Sequence, residues 1–161
     1  PMSMIFQDHN LFAHLNVSQN VGLGVDPGLK LDAAARQKVA DALQGVGLDG
    51  FGQRMPPTLS GGERQRVALA RMLVRDRPIL LMDEALASLG PGLRKSLLQL
   101  IHQLQRAREL TVVMVTHDPA DTRLVADNVV FLADRRIIFN GPANEMLAKP
   151  SDPRISTYLG S

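Results

Sequence analysis

The chain has 161 residues, of which 45% are hydrophobic and 21% charged, so it suits one globular domain or part of one. Its net charge is only +2, and it has no cysteine, which excludes disulfides, thiolate chemistry and a cysteine zinc site. No apolar run approaches the length of a membrane span, so we expect any membrane association to come through a partner.

The first third of the chain predicts one strand followed by a helical, loop-rich segment. The apolar stretch at residues 2–6 predicts a strand from the middle of a domain. Within residues 16–57, apolar side chains at helical spacing predict a helix over residues 32–46. Asp32 suits the N-cap of this helix, and Gly47 suits its end.

Residues 59–66 read Leu-Ser-Gly-Gly-Glu-Arg-Gln-Arg and predict a turn that opens a helix running from Gly61 to about Val74. Two adjacent glycines let the backbone approach a ligand closely, and a helix start presents free N–H groups and a positive dipole end. A phosphate is the natural ligand of such a turn. The alternative is a capping box from Ser60 to Glu63 that serves helix stability alone.

A short apolar run at residues 78–82 predicts a parallel strand that is covered on both faces. Asp83 and Glu84 follow it, at the sheet edge where open α/β sheets bind ligands. Asp83 could hold Mg²⁺, and Glu84 could polarise an attacking water. The alternative is an ordinary acidic junction between a strand and a loop.

The rest of the chain predicts further helices and strands. Pro91 suits the first turn of a long helix, and the strand predicted at residues 111–116 ends in His117 and Asp118. His117 could bond a γ-phosphate or the attacking water, although a lone histidine is more often structural. A helix (119–125), two strands (129–132 and 136–139) and a last short helix (144–148) follow. The tail after Pro150 is predicted to be loosely ordered at first.

Basic side chains concentrate on and after the helix that begins at Gly61. They are Arg64, Arg66, Arg71, Arg75 and Arg77. Such a stripe can bind nucleic acid, but the chain has one tyrosine, no tryptophan and no aromatic side chains interleaved with the basic ones. A solvated helix face with some interface arginines is the favoured interpretation, and no nucleic-acid partner is expected.

Taken in order, these motifs resemble the ATP-binding subunits of ABC transporters over essentially the whole chain. By this resemblance, Gln7 is the Q-loop glutamine, residues 59–63 are the signature motif, residues 79–83 are the Walker B strand, and His117 is the switch histidine. The resemblance implies an α/β fold, the C-terminal part of an ABC-type P-loop ATPase domain with a mainly parallel sheet and a helical subdomain. Residues 8–57 would hold the Q-loop and helical subdomain, and residues 58–161 the remainder.

The resemblance also implies roles for the site residues, with ATP and Mg²⁺ as cofactors. Asp83 and Gln7 would bind Mg²⁺, and Gln7 would report on the membrane subunit. Glu84 and His117 would be catalytic. The signature residues Ser60, Gly61, Gly62 and Glu63 would bind the ATP held by a second copy of the subunit.

The partners implied are transmembrane permease subunits, a second ATPase subunit and, indirectly, a periplasmic solute-binding protein. The location implied is peripheral, on the cytoplasmic side of the bacterial inner membrane. Phe12, His14 and Leu15 are candidates for the permease-docking groove, with local core packing as the alternative. A narrower resemblance, to ATPase subunits of bacterial thiamine importers, is carried by Gly-Leu-Gly at residues 22–24 and Pro-Gly-Leu-Lys-Leu at residues 27–31. ATPases of importers for other solutes share the general layout.

Some parts of the family pattern are absent or altered. Nothing in the 161 residues matches G-x-x-x-x-G-K-[ST], the loop that cradles phosphates. We therefore expect an upstream lobe outside this sequence, with a naturally short gene as the alternative, and we expect the chain alone to be inactive. Ala85 stands where the family has proline, Gly90 where it has the D-loop aspartate, and Glu63 where glutamine is usual. A catalytically inactive binding fragment and a non-transport ABC ATPase are the alternative functions.

Overall fold

The computed structural model describes residues 2–6 and 11–160, with the side chain of Phe6 left out. The chain divides into two compact units, Pro1–Val115 and Thr116–Ser161. The boundary that the sequence predicts near residue 57 stays a prediction.

The first unit is an α/β structure that alternates helices with parallel strands. Its elements are β1 (Met2–Phe6), α1 (Val17–Gly22), α2 (Ala33–Gly45), a 3₁₀ turn (Pro56–Thr58), α3 (Gly61–Leu73), β2 (Ile79–Asp83), α4 (Pro91–Arg108) and β3 (Thr111–Val115). The strands form a parallel sheet in the order β1-β2-β3. The α/β class and the parallel sheet predicted from the sequence are confirmed.

The central strand β2 is more deeply covered on one face than on the other. Leu80 and Met82 are buried, whereas Ile79 and Leu81, which alternate with them, are only half-buried. On the neighbouring strand β3, Val113 is 48% exposed. The prediction of a strand covered on both faces therefore holds fully for one face within the part of the chain that the structure describes.

Local capping sets the helix boundaries in the first unit. The Asp32 side chain accepts a hydrogen bond from the Ala35 N–H at 2.7 Å, and Gly47, at φ +72°, lies just beyond the C-cap, so both predicted ends of α2 are confirmed. Helix α1 begins with a capping box between Asn16 and Gln19, which the sequence analysis did not identify.

Helix α3 is the centre of packing in the first unit, because it contacts α1, α2 and β1. Two glycines allow this close packing. A Cβ on Gly24 would lie 2.3 Å from the Arg71 carbonyl oxygen, and one on Gly22 would lie 2.7 Å from Cδ1 of Leu31. The Gly-Leu-Gly piece of the sequence therefore has a steric role.

A single buried side chain shapes the loop that precedes α1. The Oδ1 atom of Asn20, a fully buried residue, accepts from the Phe12 N–H at 2.8 Å. Its Nδ2 donates to the carbonyls of Phe12, Leu15 and Asn16 at 3.0, 2.9 and 3.1 Å. The loop backbone is thereby fixed from inside, while the Phe12 ring stays 49% exposed and forms a T-shaped pair with the His14 ring.

The second unit is a β-hairpin packed against short helices. Its elements are α5 (Pro119–Val125), β4 (Asn128–Ala133), β5 (Arg136–Pro142), α6 (Ala143–Ala148) and α7 (Pro153–Leu159). The tail predicted as loosely ordered contains α7, which buries Ile155 completely beside Met146. Arg154 donates to Asp134 at 2.6 Å and to Asp152 at 2.7 Å. Its hydrogen bonds lower the pKa of Asp152 to about 2.

Candidate functional site

The first turn of α3 carries a reciprocal capping box. The Ser60 N–H donates to Oε2 of Glu63 at 2.6 Å, and Oγ of Ser60 accepts from the Glu63 N–H at 3.3 Å. Hydrogen bonding of the carboxyl by the Ser60 N–H, and then by the Ser60 side chain, lowers the pKa of Glu63, which is therefore charged at neutral pH. The capping box predicted as the alternative is therefore present, and it leaves the N–H groups of Gly61 and Gly62 outside the box.

The two glycines of this turn have different surroundings. A Cβ on Gly62 would lie 2.5 Å from Cδ2 of Leu93 in the first turn of α4, so this glycine allows two helix starts to pack closely. A Cβ on Gly61 would have Nη2 of Arg64, at 4.0 Å, as its nearest neighbour. Gly61 is therefore the position with room for a ligand, whereas Gly62 has a packing role as well.

The two predicted carboxylates stand at the carboxyl end of β2. Asp83 is the last residue of the strand and is exposed, and its Cα partners are Phe6 and Val115. Glu84 follows with φ at +45°, in the left-handed region, and is half-buried. Its N–H donates to the Val115 carbonyl at 3.1 Å, so the backbone pairing extends one residue past the strand.

A side chain that the sequence analysis missed joins these two parts of the site. Gln65 on α3 is 2% exposed, and its Nε2 donates to the Ala85 carbonyl at 2.9 Å. The structure thus brings the first turns of α3 next to the loop that carries Glu84. The sequence feature that could have identified Gln65 is its place beside the apolar face of a predicted helix. A glutamine that is buried there needs a hydrogen-bond partner.

The two remaining predicted site residues are Gln7 and His117. Gln7 is outside the described residues. His117 belongs to the second unit, where it is exposed, and Thr116 separates it from the end of β3. The turn around it is fixed by Thr116, whose Oγ1 donates to the buried Asp121 at 2.5 Å and accepts from the Asp118 N–H at 3.1 Å.

The site offers few protein ligands for a metal ion. Within residues 2–6 and 11–160, no three histidine or acidic side chains come together as a metal site. Mg²⁺ usually takes one or two carboxylates and completes its shell with water and phosphate oxygens. The exposed carboxylate of Asp83 at the sheet edge fits that mode of binding.

Two arginines of α3 bind backbone carbonyls. Arg64 donates to the Leu59 carbonyl at 2.7 Å, and Arg66 donates to the Val46 carbonyl at 3.0 Å. Arg64 thereby binds the segment just before its own helix, and Arg66 binds the C-cap residue of α2. The interpretation of the basic residues as a solvated face with some interface arginines stays a prediction.

Gly90, which stands in place of the family's D-loop aspartate, is the N-cap of α4 and provides no side-chain cap. Its φ of −62° and ψ of 154° suit any residue, and nothing lies within 4 Å of a Cβ built there.

We expect Gly90→Asp to raise the free energy of unfolding by a few tenths of a kcal/mol, because a carboxylate would cap the helix and favour its dipole. Urea denaturation measures the change, and Gly90→Ala, which adds a Cβ without an acceptor, should lower stability instead.

Among the described residues, no helix combines the length and the apolar character that a membrane span requires.

A parallel sheet that ends in an acidic pair, beside a capped Gly-Gly helix start, is typical of nucleotide-binding α/β domains. The sequence matches the ABC transporter family over residues 1–87, and the chain belongs to that family.

Several curated relatives are similar over nearly the whole chain. The thiamine import ATP-binding protein ThiQ of Rhizobium meliloti (strain 1021) is 54% identical over 161 residues, which are 100% of this chain and 68% of the relative. The protein of the same name from Brucella abortus is 52% identical over 160 residues, 99% of this chain and 66% of the relative. The one from Photobacterium profundum is 44% identical over 160 residues, with the same two shares. The chain thus spans about two thirds of these relatives.

Proposed function

We propose that the whole protein hydrolyses ATP, with Mg²⁺, to drive import of thiamine or its phosphates through a membrane permease. The observation that carries the proposal is the acidic pair at the carboxyl end of β2, where the Val115 carbonyl holds the Glu84 backbone. The family match supports ATP as the nucleotide. The relatives' names, all of which specify thiamine import, support the solute.

In this proposal each site residue has one role. Asp83 holds Mg²⁺, whose charge would offset that of the phosphates. Glu84 polarises the attacking water, and His117 positions the γ-phosphate and that water. Gln7 links Mg²⁺ to the permease.

The start of α3 serves the nucleotide of a second copy. The capping box occupies the N–H groups of Ser60 and Glu63. The N–H groups of Gly61 and Gly62 and the positive end of the helix dipole are then the donors for a γ-phosphate. A head-to-tail dimer of two subunits would enclose two ATP molecules.

The permease is proposed to dock near the loop that Asn20 organises. Phe12 offers an exposed aromatic ring on a fixed backbone, and the His14 ring forms a T-shaped pair with it. Leu15 is half-buried and contributes to local packing as well.

The test is ATP hydrolysis and solute uptake by the whole protein, reconstituted with its permease in vesicles. Thiamine should stimulate hydrolysis and accumulate inside. If another solute stimulates hydrolysis, the proposed ATPase activity stands and the proposed solute is wrong. An absence of hydrolysis would favour the inactive fragment, an alternative that the named relatives do not support.

Glu63 places a negative charge at the proposed phosphate position. We expect Glu63→Gln to tighten ATP-dependent dimerisation roughly fivefold at low salt, because two unit charges 4 Å apart in water repel by about 1 kcal/mol. Glutamine keeps the capping box, so the helix start should persist. The matched control is Glu145→Gln, at the same N3 position of α6. Unchanged dimerisation, measured by sedimentation with ATP, would contradict the proposed role of this turn.

A further inference from the structure

A buried amide ties α3 to the loop that follows β2. Gln65 and Ala85 are each 2% exposed, and Nε2 of Gln65 donates to the Ala85 carbonyl at 2.9 Å. The two residues are 20 positions apart in the chain, so this hydrogen bond fixes a long-range relation between two backbone segments.

The carbonyl that Gln65 holds belongs to the residue directly after Glu84. At φ +45°, Glu84 adopts a left-handed backbone conformation that is uncommon for non-glycine residues and that costs free energy. The Val115 carbonyl binds the Glu84 N–H on one side, and Gln65 binds the Ala85 carbonyl on the other. These two hydrogen bonds bracket the residue from which the carboxylate projects.

The amide oxygen of Gln65 indicates that this side chain is present for its hydrogen-bond donor. Oε1 of Gln65 is buried without a protein hydrogen-bond partner in the described part of the chain. Burying an unmatched amide oxygen costs stability, and an apolar side chain of similar shape would avoid that cost. What Gln65 offers in return is the N–H donor to Ala85.

We propose that Gln65 is a positioning residue that holds the backbone of Glu84 and Ala85 and thereby aims the Glu84 carboxylate at the reacting water. The inference rests on the proposed ATPase function. Gln65 lies five residues after Ser60, about 7.5 Å along the helix axis. The hydrogen bond from Gln65 to Ala85 therefore couples the start of α3, which is proposed to face the second subunit, to the backbone that carries Glu84.

The test is Gln65→Met in the whole protein, with kcat for ATP hydrolysis and Kd for ATP measured separately. Methionine fills a similar volume and lacks the donor. We expect kcat to fall roughly tenfold, because small errors in the placement of a reacting group cost rate steeply. Kd for ATP and the thermal unfolding midpoint should stay near their wild-type values. The control is Gln99→Met, the same change at an exposed position of α4.

A kcat within twofold of wild type would overturn the inference, and so would a loss of kcat that accompanies equal losses in ATP binding and stability. If Gln65→Met does not fold, Gln65→Glu decides. Its carboxyl can donate to Ala85 only when protonated, and burial raises the pKa of such an acid. The ratio of its kcat to that of wild type should therefore rise from about pH 8 to about pH 6. A flat ratio, or a second failure to fold, would reduce Gln65 to a packing role.

The wild-type protein and Glu84→Gln in the same assay separate failure of the proposed function from failure of the inference about Gln65. If the wild-type protein turns over no ATP, the proposed function fails, and if Glu84→Gln turns over ATP like wild type, the role of Glu84 fails and the inference about Gln65 with it. If Glu84→Gln is inactive and Gln65→Met is fully active, only the inference about Gln65 fails.

Discussion

Replacing Glu84 by glutamine in the whole protein is expected to abolish ATP turnover while leaving ATP binding within about twofold. Glutamine has nearly the same shape but cannot accept a proton from, or strongly polarise, the attacking water. A general base contributes about 10²- to 10⁴-fold to a rate, so the remaining hydrolysis should approach the background of the assay. Phosphate release and nucleotide titration, measured on the same preparation, check the two halves of this expectation.

Glu109→Gln is a matched control for this experiment. Glu109 also has a positive φ, +51° against +45° for Glu84, and it is an exposed residue that ends α4. The control removes the same charge from the same backbone conformation without touching the sheet edge. Wild-type turnover in Glu84→Gln would contradict the catalytic role of Glu84. If the single change Glu109→Gln also lost turnover, the assay would be responding to the loss of a negative charge in general.

Replacing Gly24 by alanine is expected to destabilise the first unit by roughly 2 kcal/mol, a typical cost of overpacking. The added Cβ would lie 2.3 Å from the Arg71 carbonyl oxygen and 2.5 Å from Cγ2 of Val74. A backbone carbonyl cannot rotate away as a side chain can, so the chain segments must separate. Urea denaturation followed by circular dichroism measures the change.

Gly45→Ala should move stability in the opposite direction. Gly45 is the last residue of α2, is exposed and has nothing within 4 Å of an added Cβ. Alanine there should add about 0.5 kcal/mol, because it restricts the unfolded chain and favours the helix. If Gly24→Ala proved as stable as Gly45→Ala, the close contact between the Gly-Leu-Gly segment and α3 would be wrong.

Helix boundaries were predictable where one side chain caps its own helix. Asp32 and Gly47 bracket α2, and Ser60 begins α3, because capping depends on residues three or four positions apart. The box of Asn16 and Gln19 follows the same local rule but precedes too few apolar residues to stand out. Helix α7 was missed because its stability comes from burying Ile155 in the second unit, which no local pattern records.

In the candidate site, too, only the features that depend on neighbouring residues could be predicted. Asp83 and Glu84 stand at the end of a strand, as a buried apolar run followed by carboxylates requires. The left-handed backbone of Glu84 was not predictable, because it depends on Val115 from another strand. The role of Gln65 depends likewise on a carbonyl 20 residues away. Tertiary partners, and not residue types, decide these features.

The Asn20 amide gives the loop before α1 its shape from the interior of the fold, since the hydrogen bonds that define the loop end on backbone atoms. The identities of the outward side chains Phe12 and His14 are thus uncoupled from the loop conformation. Evolution, or an engineer, could exchange these two side chains without redesigning the scaffold. Replacing Asn20 itself would remove the hydrogen bonds that fix the loop.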